Sequence, residues 1–159
     1  MPSTPNRTTR SKLPDRLSVE DLDRIVLKSG GHHKRDLDHL CVLEAVAWVV
    51  GRKHSDHPPC VSPVIGDFLR SWNDGMNNDD RQMLKPLIPR VINTVSTSAM
   101  ELRRSYMALD WYCRVSAPAW LRLTGLVAEA EAIEATTSIV DSFSAQAAQR
   151  TLATARSEA

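Results

Sequence analysis

With 159 residues, 42% hydrophobic and 25% charged, the chain fits one globular domain, long enough to bury about two thirds of its unfolded surface. Twenty Lys and Arg against nineteen Asp and Glu leave a formal charge of +1, which excludes the global basic field of a nucleic-acid or acidic-membrane binder. Cys41, Cys60 and Cys113 argue against a secreted disulfide framework, no apolar run nears the roughly 20 residues that cross a bilayer, and the polar N-terminus has no signal-peptide core, so the expected setting is cytoplasmic.

Residues 1–16 carry Arg7, Arg10, Lys12 and Arg16 among Pro, Ser and Thr and read as a disordered basic arm. Such an arm is either a solvated tail or a contact to nucleic acid or an acidic partner. Ser18, with Glu20 and Asp21 behind it, predicts a first helix with Leu22, Ile25 and Val26 as its stripe, ended by Gly30-Gly31. A second is expected over about 36–50. From Leu40 to Val50 it is apolar all round except for Glu44, which marks a buried helix at the centre of the core. Ser62-Pro63 starts a third, capping hydroxyl before first-turn proline, with Val64, Ile65, Phe68, Leu69 and Trp72 on one face. Asn78 or Asp79 caps a short helix that Pro86 kinks or ends. Ser98 and Glu101 form a capping box for a helix to about Ala117, and Pro118 opens another that stops at Gly125. From Leu126 onward the chain is Ala-rich and thinly amphipathic, one long helix suited to self-association. The four tryptophans, each on an apolar helical face, read as core anchors, with one of them available to line a pocket or interface. Without period-2 alternation or hairpin signals, the expectation is all-α: a compact bundle of five to seven helices. The core domain spans 17–126, between the basic arm and a C-terminal helix or tail over 127–159.

Two constellations carry chemistry. His54-Ser55-Asp56-His57-Pro58-Pro59-Cys60 places imidazole, carboxylate and thiolate donors within seven residues, a set that suits zinc. Asp56, His57 and Cys60 are the candidate ligands. The alternative is a rigid loop in which Asp56 caps a turn and Cys60 is a small buried hydrophobe. Glu44, alone among apolar neighbours, needs a cation or hydrogen-bond donors. Arg103, Asp110 and Arg114 share one helix face, so a line of charge reaching Glu44 is expected, either as a ligand site or as a buried ion-pair network that fixes register. His32-His33-Lys34-Arg35 lacks phosphate-loop spacing and reads as a solvated linker. No serine or cysteine nucleophile motif is present.

The stretches Cys41 to Trp48, Ser55 to Val64, Phe68 to Asp74, Leu84 to Pro89 and Ala117 to Leu121 together resemble a family of small proteins encoded by actinobacteria and by phages that infect them. The resemblance covers roughly residues 36–126. It implies a bacterial or phage cytoplasmic setting and transfers no catalytic residue. Family members often carry tryptophan at the position of His54, which leaves Asp56, His57 and Cys60 as the eligible metal set. The function expected is a non-catalytic helical binding protein, a phage or mobile-element accessory factor engaging a protein partner, a second copy or a small ligand. The alternatives are a metal-dependent hydrolase built on the 54–60 loop and a nucleic-acid binder acting through the basic arm.

Overall fold

A computed structural model describes residues 16–33 and 36–158, with side chains through residue 154. The protein is all-α; among the described residues the only β feature is an isolated parallel bridge between Leu27 and Leu40. The basic-arm residues Arg7, Arg10 and Lys12, and Lys34 and Arg35, lie outside the described residues. No helix among those described is long and apolar enough to cross a membrane. Two compact units part between Val95 and Ser96, where the sequence reading carried the core domain on to residue 126.

The N-terminal unit is built around α1 (Val42–Val49), every residue of which is buried. Its central place follows from a surface that is apolar on all sides except at Glu44, which only burial all round can satisfy. The helix begins at Val42 rather than near Asp36, because Cys41 supplies the cap and residues 36–40 form a turn that brings Leu40 to the bridge with Leu27. The first predicted helix is also shortened. Ser18 and Asp21 exchange the expected caps, with Ser18 N donating to Asp21 Oδ2 at 3.1 Å and Asp21 N to Ser18 Oγ at 3.2 Å. Only one 3-10 turn, Glu20–Arg24, follows. Beyond it the chain is extended, because tertiary partners claim its backbone: Gln82 Oε1 accepts from Leu27 N at 3.0 Å while its Nε2 donates to Leu27 O at 2.9 Å.

Helix α2 (Pro63–Gly75) starts where Ser62-Pro63 predicts, and Ser62 Oγ accepts from Ile65 N. Helix α3 (Asn78–Arg81) is capped by Asn77, one residue before the expected cap. It runs through a 3-10 segment, Gln82–Leu87, into α4 (Ile88–Val91). Pro86 falls in the 3-10 stretch, where its missing N–H is accommodated. Arg81, buried, donates to the carbonyls of Asn73 and Met76 and to Asn78 Oδ1, closing the C-terminal end of α2 with a guanidinium. The unit's core joins Leu43, Val46 and Trp48 of α1 to Leu17, Ile25, Leu69 and Ile88.

The C-terminal unit comprises α5 (Ser98–Trp111), a π turn at Tyr112–Ser116, α6 (Ala117–Leu123), α7 (Val127–Glu134) and α8 (Ser142–Glu158). Thr97, rather than Ser98, caps α5. The π turn joins α5 to α6 with no loop between them, and Pro118 falls in the first turn of α6, where its missing N–H is tolerated. Gly125, at φ +86°, ends α6 with Gly125 N on Arg122 O at 3.1 Å and Leu126 N on Leu121 O at 2.9 Å, the paired bonds of a Schellman cap. The expected single C-terminal helix is two, because Asp141 and Ser144 cap α8 afresh: Ser144 N donates to Asp141 Oδ1 at 2.8 Å and Asp141 N to Ser144 Oγ at 3.1 Å. Of the tryptophans, Trp48 alone is a core anchor. Trp72 is exposed with its ring edge-on to Phe68 at 5.2 Å between centroids, and Trp111 and Trp120 stand open to solvent.

Candidate functional site

Glu44 occupies the third position of α1, and its burial to 2 % exposure is compensated by a full set of donors from its own unit. Its side chain reaches back to the cap: Cys41 N donates to Oε2 at 2.7 Å, while Glu44 N points at Cys41 Sγ at 3.4 Å, completing a capping box. Oε2 also meets His32 Nδ1 at 2.9 Å. Oε1 accepts from His32 N at 2.6 Å and lies 3.3 Å from His54 Nε2. The same His54 nitrogen is 2.6 Å from His32 O. Both neighbours of that nitrogen are acceptors, so it carries the proton. His54 Nδ1 is buried and has no hydrogen-bond partner among the described residues.

The residues that place His32 lie elsewhere in the unit. Asn73 Nδ2 donates to Lys28 O at 2.8 Å and its Oδ1 accepts from Val42 N at 3.1 Å, joining α2, the extended segment and the start of α1. Asp74 Oδ1 accepts from Gly30 N at 2.7 Å. Gly31 then passes close to two acids, since a Cβ there would stand 3.9 Å from Asp56 Oδ2 and 4.0 Å from Glu44 Oε1.

A carboxylate offers about four acceptor sites; Glu44 fills three with Cys41 N, His32 N and His32 Nδ1, while His54 Nε2 stands closer to His32 O and at ion-pair distance from Oε1. It therefore ties the start of α1 to residue 32, with His54 beside them. Burial raises the Cys41 thiol to about 12, with the Glu44 carboxylate adding to that rise. Cys41 is thus a protonated, inert thiol at neutral pH.

The loop residues predicted as metal ligands are spread along the surface beside this network. Asp56 Oδ1 pairs with His57 Nδ1 at 2.7 Å, and this hydrogen bond holds the Asp56 carboxyl below its ordinary value. Asp56 O accepts from Arg70 Nη1 at 2.9 Å. Cys60 is half-buried against the apolar core, and its carbonyl accepts from Val95 N at 3.3 Å. Among the described residues no three His, Cys, Asp or Glu side chains are grouped to hold a metal ion. His57, Pro58, Pro63 and Arg70 border a cleft of about 270 Å³ floored by Leu43 and Val61.

The expected line through Arg103, Asp110 and Arg114 is only partly formed. Arg114 Nε lies 3.0 Å from Asp110 Oδ1 at ion-pair distance, but off hydrogen-bond angle. Asp110 Oδ1 accepts from Ile139 N at 2.8 Å, and Arg114 Nη1 donates to Thr136 O at 3.3 Å. The pair clasps residues 136–139 to α5 and the π turn. Arg103 stays exposed, and Glu44 belongs to the separate His32–Cys41–His54 network described above.

The C-terminal unit also holds a groove of about 570 Å³. Ala99, Leu102, Arg103, Tyr106 and Met107 of α5 line one side, and Ile139 and Val140 the other. Sequence reasoning missed His32, Asn73 and Gln82 and underrated this groove; the available signal was the 99/102/103/106/107 spacing, which marks one helix face. Comparison with protein-family models, with curated proteins and with solved structures finds no match.

Proposed function

We propose that this protein is a non-catalytic helical binding protein, an accessory factor of phage or mobile-element type, whose C-terminal unit docks another protein surface. The observation that carries the reading is α5. None of its fourteen residues is buried, yet Met100, Leu102, Met107, Leu109 and Trp111 are large, apolar and exposed. The same unit leaves Trp120 at 68 %, Phe143 at 77 % and Leu123 at 78 % exposure. Single exposed apolar side chains are ordinary on a protein surface; Met100, Met107 and Trp111, at steps of seven and four, instead line one side of α5, and an open apolar stripe of this kind marks an interaction site. Full burial of a wholly open side chain of this size is worth about 1.5–3 kcal/mol, and covering these partly open ones recovers a corresponding share of it. The N-terminal unit supports the non-catalytic part, because its most buried acid, Glu44, is held by Cys41 and His32 in a structural tie.

Hydroxyl-radical footprinting of the dilute chain tests this reading. Met107, Trp120, Leu123 and Phe143 are expected to oxidise at rates typical of open side chains. Strong protection of all four in a dilute monomer means that the chain covers its own apolar surface, and the docking reading then fails.

A further inference from the structure

The groove between α5 and residues 139–140 has the size and the lining of a small-molecule site. Its volume of about 570 Å³ falls within the roughly 300–1,000 Å³ of such sites. Both walls are fixed inside the C-terminal unit. Asp110 Oδ1 accepts from Ile139 N at 2.8 Å, and Arg114 Nη1 donates to Thr136 O at 3.3 Å. The segment that carries Ile139 and Val140 is thereby tied to α5 and the π turn, so the groove stands formed without a ligand. Tyr106 packs on the small core of Cys113, Ile139 and Ala148, while Leu102, Met107 and Val140 stay open at 56, 62 and 69 % exposure.

Charge selects the ligand. Arg103 is the one charged side chain in this otherwise apolar and aromatic lining. The acids near it in the fold are already taken. Glu101 pairs with Arg104 at 2.7 Å, and Asp110 serves Ile139 N and Arg114. Asp141, just beyond Val140, is engaged by Ser144. Among the described residues Arg103 has neither an ion pair nor a hydrogen bond. A neutral apolar occupant would strip water from that guanidinium and return nothing, and a cationic one would meet like charge. A carboxylate matches its planar fork with two parallel hydrogen bonds, beside apolar walls that strengthen the attraction over its value in water. A phosphate, with up to about twice the charge, calls for a second cation that the lining lacks.

We propose that this groove binds a small carboxylate with an apolar body, its head on Arg103 and its body along Tyr106, Met107 and Val140. The site goes beyond the docking of a protein surface and does not depend on it. Octanoate is the probe, octanol its uncharged counterpart and octylammonium its cationic one. Methyl proton–carbon NMR on the full chain reads the titration, with Met83 of the N-terminal unit, 73 % exposed, as the control for unspecific contact. Octanoate is expected to shift Met107, Ile139 and Val140 saturably, with a dissociation constant on the order of 1 mM, and to leave Met83 in place. Octanol and octylammonium should bind at least about tenfold more weakly, the worth of a charge-assisted hydrogen bond. Arg103→Gln changes an exposed side chain without a partner, so it should keep the far-UV circular dichroism while losing the preference for octanoate over octanol. Arg103→Lys keeps the charge but not the fork and should fall between. Absence of saturable shifts in the groove overturns the proposal. So does equal binding of octanoate and octanol by the wild type, or an Arg103→Gln chain that holds octanoate as tightly as the wild type. None of these outcomes bears on the docking reading, which footprinting without ligand decides.

Discussion

Replacing Glu44 by alanine removes the acceptor for two backbone N–H groups, those of His32 and Cys41, in a site with only 2 % exposure. Each donor left buried without a partner costs about 1–3 kcal/mol, so the two together cost about 2–6 kcal/mol. The expected destabilisation of the N-terminal unit is about 3–5 kcal/mol, the part of that span typical of breaking a buried charged network. Native-state hydrogen exchange at the amides of Ala45 to Val49 reads this unit by itself, which matters in a chain of two compact units. Their protection should fall by more than about a hundredfold, since each 1.4 kcal/mol is about a factor of ten. Glu44→Gln keeps the shape and one acceptor oxygen but turns an amide toward donors, and should fall between wild type and alanine. A loss below about 1 kcal/mol in the alanine variant, or a gain in stability, would refute the argument that this carboxylate is a structural tie.

Arg81→Met should cost the N-terminal unit about 2–4 kcal/mol, because the carbonyls of Asn73 and Met76 lose their buried donor; urea unfolding followed by hydrogen exchange in α2 measures it. The Asp56 carboxyl is lowered from 3.8 by its His57 partner, so its contribution is complete above that value and is lost as pH falls through the lower folded one. His57→Ala should move the Asp56 titration, followed by carboxyl NMR, upward. Cys41, raised from 9.0 to about 12, contributes stability that is present below pH 9 and is lost as pH rises toward the folded value. In the native protein at pH 8, alkylation should label half-buried Cys60 well ahead of Cys41, and equal rates would contradict the buried-thiol assignment.

Much of the N-terminal unit was legible because its signals are local. The buried character of α1 is written in eight residues, of which only Glu44 is polar. Ser62-Pro63 marks the start of α2 through a hydroxyl cap and a proline whose absent N–H costs nothing there. Glu44 was also legible as a residue that needs donors, but not which ones. His32 is twelve positions away in the chain, and its place beside Glu44 depends on Asn73, Asp74 and Gln82 latching the extended segment. In the 54–60 loop the sequence shows donors close along the chain, but not where each side chain points. His57 turns to Asp56 while Cys60 joins the apolar side.

The sequence alone determined that the chain is helical, where the strongest helix starts lie and which helix is buried, since capping and 3.6-residue periodicity act within one or two turns. Tertiary structure alone decided which apolar faces find cover. Trp48 and Trp120 both sit on apolar stretches, but only Trp48 is enclosed, because enclosure depends on elements that arrive from distant positions. It also decided that residues 25–28 are extended rather than helical, with Gln82 taking both backbone groups of Leu27 and so outcompeting the local preference for a longer first helix.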